Sequence, residues 1–232
     1  MMTEQARIEQ YQHEQRAIPP LRQGDRLSRA EFERRYEAMP HIKKAELIEG
    51  MVYMPSPVRF AHHGEPHSFM VTWICVYRAA TPGLRIADNA TVRLDDQNEV
   101  QPDVILFEQT DRNIHISDDD YVEGAPQLVV EVAASSAEYD ARLKRRIYER
   151  NGVQEYLLWR VSEEQIDWWE LQAGAYQPLM ADEHGILASK VFPGLWLDTV
   201  ALLANDIAKV LATLQQGINS TAHAAFVAQR ES

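Results

Sequence analysis

Residues 128–132 read Leu128-Val129-Val130-Glu131-Val132, an apolar run of strand composition interrupted by one carboxylate. Continuous runs of this kind belong to strands buried on both faces at the centre of a sheet. An ionised carboxylate in such a place is costly unless a partner meets it. Glu131 therefore faces a bound cation, forms a salt bridge with an arginine, or lies at a strand end already open to water. A second stretch has the same character. In Gln101-Pro102-Asp103-Val104-Ile105-Leu106-Phe107 the proline keeps the preceding residue extended, and Asp103 opens another apolar strand. Two adjacent strands that each bring a carboxylate to one sheet edge can hold a hard divalent cation. Magnesium suits this arrangement, since it takes one or two carboxylates and keeps waters and a substrate phosphate as its other ligands. A Pro-Asp before a strand also arises often by chance, so the pair alone does not decide between metal and structure.

Beyond the second run, Glu138 to Arg150 reads as a helix with Tyr139, Leu143 and Ile147 on its apolar stripe and Asn151-Gly152 as its stop. Asp140, Lys144 and Tyr148 recur every four residues and share the neighbouring face. A lysine there can reach a scissile phosphate or orient a water. The plainer reading is an Asp-Lys pair on a solvated helix, worth a few tenths of a kcal/mol. Arg142, Arg145, Arg146 and Arg150 make this helix cationic.

Upstream, Ser28-Arg29-Ala30-Glu31 has the form of a capping box opening a helix that ends near Pro40. Leu47, Ile48, Val52 and Tyr53 flank a Glu49-Gly50 turn and predict a hairpin. Phe69, Trp73 and Tyr77 predict a helix from Pro66 that closes at Thr81-Pro82-Gly83. Short strands are expected at Leu84–Ala87 and Ala90–Leu94, and an antiparallel pair at Tyr156–Trp159 and Ile166–Trp169. From Asp198 one helix should carry Leu203, Ile207, Val210 and Leu214, with a last short one from Ser220. The class is α/β: a central mixed β-sheet flanked by helices, with a C-terminal helical extension. Residues 1–24 are polar and include Pro19-Pro20, so they read as a flexible N-terminal arm; residues 25–200 read as one domain, and residues 201–232 as the extension.

At 232 residues, 45% hydrophobic and 25% charged, the composition is that of one ordinary globular domain with elaborations. No apolar stretch has the length of a membrane span, and the N-terminus lacks the basic-then-apolar order of a secretory signal. A cytoplasmic protein is expected. Cys75, the only cysteine, lies in an apolar stretch and reads as a buried, inert thiol. The net charge of −12 opposes non-specific binding to a polyanion, so a nucleic-acid reading needs a local basic patch. Asp118-Asp119-Asp120 reads as solvated loop. His63 and His67 have a spacing that zinc sites use, but no Glu-x-x-His or cysteine partner accompanies them. Trp159, Trp168, Trp169 and Trp196 read as core rather than as base-stacking platforms.

Taken in order, Glu46-Leu47-Ile48-Glu49-Gly50, His63, Gln101-Pro102-Asp103, Gly124-Ala125-Pro126, Leu128 to Val132, Ser136, Asp140, Lys144, Tyr148, Gly152-Val153, Glu155-Tyr156 and Phe192-Pro193-Gly194-Leu195 resemble the Uma-type family of bacterial endonucleases in the PD-(D/E)XK superfamily. The resemblance runs from about residue 28 to 200. It implies a restriction-endonuclease-like fold in which Asp103 is the aspartate of the PD motif and Glu131 the acidic residue of (D/E)XK. Glu46 becomes a further metal ligand or water-positioning group. The lysine usual two residues after the acidic one is Ala133 here, and the resemblance moves that role to Lys144. His63 is expected near the site mouth, with Asp140, Tyr148, Arg142 and Arg145 as surrounding or substrate-facing groups. The implied activity is hydrolysis of DNA phosphodiesters by a water activated on Mg2+ or Mn2+, by a homodimer. Two other readings compete: a catalytically silent binding or assembly module that keeps the fold, and a hydrolase of a smaller phosphate ester, which the acidic composition would suit.

Overall fold

The computed structural model of the chain describes residue 4 and residues 18–54, 58–134 and 138–230. The elements in chain order begin with α1 (Arg29–Glu37), β1 (Glu46–Ile48), β2 (Met51–Tyr53), a π-helical turn (Phe60–Gly64) and α2 (Glu65–Ala79). Strands β3 (Leu84–Asp88), β4 (Val92–Asp95), β5 (Asn98–Val100), β6 (Val104–Glu108), β7 (Ile114–Ile116), β8 (Val122–Gly124) and β9 (Leu128–Ala133) follow. Next come α3 (Glu138–Asn151), β10 (Glu155–Arg160), β11 (Gln165–Gln172), β12 (Ala175–Pro178), β13 (Ile186–Ala188) and β14 (Trp196–Asp198). The last elements are α4 (Thr199–Leu203), α5 (Ile207–Ile218) and α6 (Thr221–Ala228).

The central sheet is mixed, in the order β12-β11-β10-β9-β6-β3. Its β9 and β10 run parallel, which requires a crossover, and α3 supplies it; the other neighbours are antiparallel. A second six-stranded sheet, β2-β1-β5-β4-β8-β7, was not read from the sequence as a separate layer. Alternation along β9 distributes its residues between two cores. Leu128, Val130 and Val132 pack with Trp73 and Tyr77 of α2 and with Val210 and Leu214 of α5. Val129 points the other way, toward Leu143, Ile147 and Tyr148 of α3 and Val92 and Val100 of the second sheet. Glu131 shares the side of Val129, so it enters the space between the central sheet and α3.

In the β1–β2 hairpin Glu49 and Gly50 both take positive φ, 50° and 72°, as a two-residue turn twisted to match its strands requires. Four expectations need correction. Residues 18–24 are not a free arm: Leu21 is buried against Phe32, and the Gly24 N–H donates to the Val52 carbonyl. Residues 1–3 and 5–17 lie outside the described residues. Only half of the capping box forms, because Ser28 accepts from the Glu31 N–H while the Glu31 carboxylate binds Arg34 and Arg35 instead of reaching back. Cys75 is exposed, since it falls on the face of α2 opposite Met70, Trp73, Ile74 and Tyr77. Lastly, the helix from Asp198 breaks at Ala204-Asn205-Asp206. Asn205 turns left-handed at φ 57°, and Asp206 caps α5 by accepting from the Lys209 N–H. Among the described residues no helix is long and apolar enough to cross a membrane.

Candidate active site

The antiparallel register of β6 and β9 pairs Val104 with Val130, and one further step sets Asp103 beside Glu131. A hydrogen bond closes this step: the Val132 N–H donates to Asp103 Oδ2 at 2.7 Å. Glu46 arrives from β1 of the second sheet, where alternation buries Ala45 and Leu47 beneath α1 and turns Glu46 and Ile48 toward the central sheet. The Glu46 Oε1 atom accepts from the Gln101 N–H at 2.8 Å, which ties β1 to the residue two before Asp103.

Lys144 of α3 joins these carboxylates. Its Nζ lies 2.9 Å from Glu46 Oε1 and 2.9 Å from Glu131 Oε1, and the Tyr148 hydroxyl donates to the same Glu131 oxygen at 2.8 Å. One helical turn separates Lys144 from Tyr148, so a single face of α3 delivers both. Burial raises the Glu131 pKa, and the attraction of Lys144 opposes that rise. Burial disfavours the charge on Lys144 too, but the two glutamates outweigh it and raise its pKa, keeping the ammonium protonated. Removal from water also raises the Tyr148 phenol, which stays a donor.

His63 stands on the π-helical turn, an irregularity that recurs at functional sites. Its Nδ1 donates to the Val132 carbonyl at 2.8 Å, and its Nε2 lies 3.4 Å from Asp103 Oδ1. With the Nδ1 proton committed, Nε2 attracts the carboxylate only when it too is protonated, so the Asp103 contact raises the His63 pKa. Burial works against the charge on Asp103, but His63, Lys44 and the Val132 N–H outweigh it and lower its pKa. His67 is held through Nε2 by Asp88 at 2.9 Å and by the Asp103 carbonyl at 3.1 Å.

The structure thus brings Glu46, Asp103, Glu131, Lys144, Tyr148 and His63 together. The arginines are placed differently: Arg145 lies over the Trp169 ring at 4.8 Å, and Arg142 is exposed on α3. The side chain of Asp140 and the whole of Ser136 lie outside the described residues. Lys44, which the sequence reading passed over, has its Nζ 3.9 Å from Asp103 Oδ1 and 3.3 Å from Asn89 Oδ1. The signal for it was strand alternation: two residues before Glu46, it shares that side.

Do these residues suit a divalent cation? Among the described residues no three of His, Cys, Asp and Glu close on one point as a ready-made cage. Magnesium does not need one. Asp103 Oδ1 is buried without a hydrogen-bond partner, although buried polar atoms almost always have one. A hard oxygen that accepts no hydrogen bond, with the longer approaches of His63 at 3.4 Å and Lys44 at 3.9 Å, lies beside a second carboxylate and fits a cation that completes its shell with water and phosphate.

A family model described as "Uma2: Putative restriction endonuclease" matches residues 29–201. The solved structure of "a putative nuclease belonging to DUF820" from Anabaena variabilis superposes with a TM-score of 0.53 at 14% identity, covering 78% of this chain and 97% of that one. At that identity the likeness is one of fold, the restriction-endonuclease-like arrangement of sheet and helices. No curated protein matches the sequence.

Proposed function

This chain belongs to the Uma2 family of restriction-endonuclease-like proteins, and from that premise we propose that it is a metal-dependent endonuclease that hydrolyses phosphodiester bonds in DNA. The observation that carries the reading is Asp103 Oδ1, buried without a hydrogen bond beside Glu131 at the meeting of two strands and one helix. Asp103 and Glu131 would hold magnesium or manganese, with Glu46 as a further ligand or as a water-positioning base. When bound, such a cation lowers the pKa of an attacking water and neutralises charge developing on the phosphoryl group.

The chain's own residues do the rest. Tyr148 and Lys144 hold one Glu131 oxygen and so orient the carboxylate. The Val132 N–H does the same for Asp103 and leaves its other oxygen, which accepts no hydrogen bond, between His63 and Lys44. Lys144 also gathers Glu46, keeping a second carboxylate within reach of a water on the Glu131 side. When protonated, His63 offsets the negative charge of Asp103, the contact that raises its pKa. A homodimer belongs to the same reading, and light scattering checks it.

The test offers single-stranded, duplex and branched DNA to wild type, Asp103→Asn and Glu131→Gln with magnesium or manganese. Loss of several kcal/mol of transition-state stabilisation predicts that each variant falls by more than about 100-fold. Absence of cutting by wild type on every substrate, with no metal bound, would favour a binding module that keeps the fold.

A further inference from the structure

Two lysines approach the carboxylates, and they are not equivalent. Lys144 is committed inward: its ammonium lies 2.9 Å from Glu46 and 2.9 Å from Glu131, and only 12% of its side chain is exposed. To leave for a substrate it would have to strand two buried carboxylates, which is strongly destabilising. Lys44 stands at the rim with 27% of its side chain exposed. Its hold on the protein is loose, a 3.3 Å hydrogen bond to Asn89 Oδ1 and a 3.9 Å approach to Asp103 Oδ1 that is too long for a hydrogen bond. Asn89 itself is fixed, with its N–H on the Asp103 carbonyl and its side-chain amide on Asp88. Lys44 is thereby parked beside a buried site oxygen that accepts no hydrogen bond.

We propose that Lys44, not Lys144, is the lysine that contacts the substrate phosphate, while Lys144 is a positioning residue that holds Glu46 and Glu131 in place. This rests on the nuclease reading above. An ammonium at the rim can turn from Asp103 to a phosphate oxygen by rotating its flexible stem, at the cost of one long hydrogen bond and of its 3.9 Å attraction to Asp103. The exchange also suits the charge balance. A phosphate bound at Asp103 brings negative charge to the point where Lys44 already is, and the compact ammonium on a mobile chain serves as a point charge.

A lysine that meets a phosphate releases counterions when DNA binds, so its removal makes the dependence of log K on log salt shallower by about 1. A lysine that holds carboxylates inside the protein has no such signature. The experiment measures anisotropy of a fluorescein-labelled DNA duplex with wild type, Lys44→Met, Lys44→Arg and Lys144→Met in calcium, from about 50 to about 200 mM salt. Lys44→Met is expected to bind more weakly with a slope shallower by about 1, and Lys44→Arg to keep the wild-type slope. Lys144→Met, where it folds, should keep that slope too. A Lys44→Met slope equal to wild type would overturn the assignment, whether or not Lys144→Met folds. Salt-independent or absent binding by wild type would instead remove the nuclease reading, and this assignment with it.

Discussion

Glu155 opens β10 and Glu131 stands near the end of β9, so two buried carboxylates occupy opposite ends of the parallel pair at the centre of the sheet. Glu155 is met by neutral donors: the Ser189 hydroxyl at 2.7 Å and the backbone N–H groups of Lys190 and Val191 at 2.6 and 3.2 Å. Burial nevertheless pushes its pKa up to about 7. It pins the loop before β14 to the sheet. At the other end Glu131 meets Lys144 and Tyr148, and it adjoins Asp103 with its open oxygen and Lys44 beyond. A buried acid on a central strand is therefore not in itself the mark of a site. The difference lies in what surrounds it: a loop of neutral donors, or several charges of both signs around an atom that accepts no hydrogen bond.

That contrast can be broken most severely through Lys144. Replacing it with alanine leaves Glu46 and Glu131 buried without their cation and is expected to cost about 3–5 kcal/mol, read from the midpoint of urea unfolding. A loss under about 1 kcal/mol would mean that water already screens this end as it does a surface pair.

The Glu155 end carries the next largest effect, and it is one of pH. Its folded pKa of about 7 lies above the ordinary 4.5. Between those values the folded protein keeps a proton that the unfolded chain has released. The resulting stability is full below about pH 4.5 and is lost as pH rises through about 7, on the order of 3 kcal/mol in all. Glu155→Gln should remove that part of the fall in melting temperature. An unchanged pH profile would show that the Ser189 loop holds Glu155 as an ordinary carboxylate.

The smallest effect belongs to an exposed cation on the helix that carries Lys144. Arg146 pairs with Glu49 at 2.5 Å, and its side chain is 62% exposed. Arg146→Ala should change stability by less than about 1 kcal/mol. A larger loss would mean that the position on α3, rather than burial, decides what a cation contributes.

The Glu131 end was legible because each residue carries a local conflict. Glu131 interrupts an apolar strand, Asp103 begins one after a proline, and Lys144 and Tyr148 recur on a helix face. Such conflicts survive in one dimension. Lys44 escaped because its one signal, alternation with Glu46, is faint, and the pairing of β1 with β5, which sets β1 beside the start of β6, is what gives it a role. The second sheet escaped for a related reason. Its strands are three or four residues long, and its order joins β4 to β8 across the whole of β6. Asp119 is the solvated loop residue its sequence suggests, and from there it also reaches Arg93, a buried guanidinium met by Glu33, Glu99 and Glu123. The break before α5 followed from Asn205 and Asp206, both helix-end residues, and the apolar spacing across them concealed it.

The difference between the two buried glutamates is tested most directly by calorimetric titration of manganese into wild type, Asp103→Asn and Glu155→Gln. The account predicts that wild type and Glu155→Gln bind the metal alike, while Asp103→Asn, deprived of its open anionic oxygen, loses at least about 10-fold in affinity. Equal binding by all three proteins, or none by wild type, would contradict a metal site at the Glu131 end.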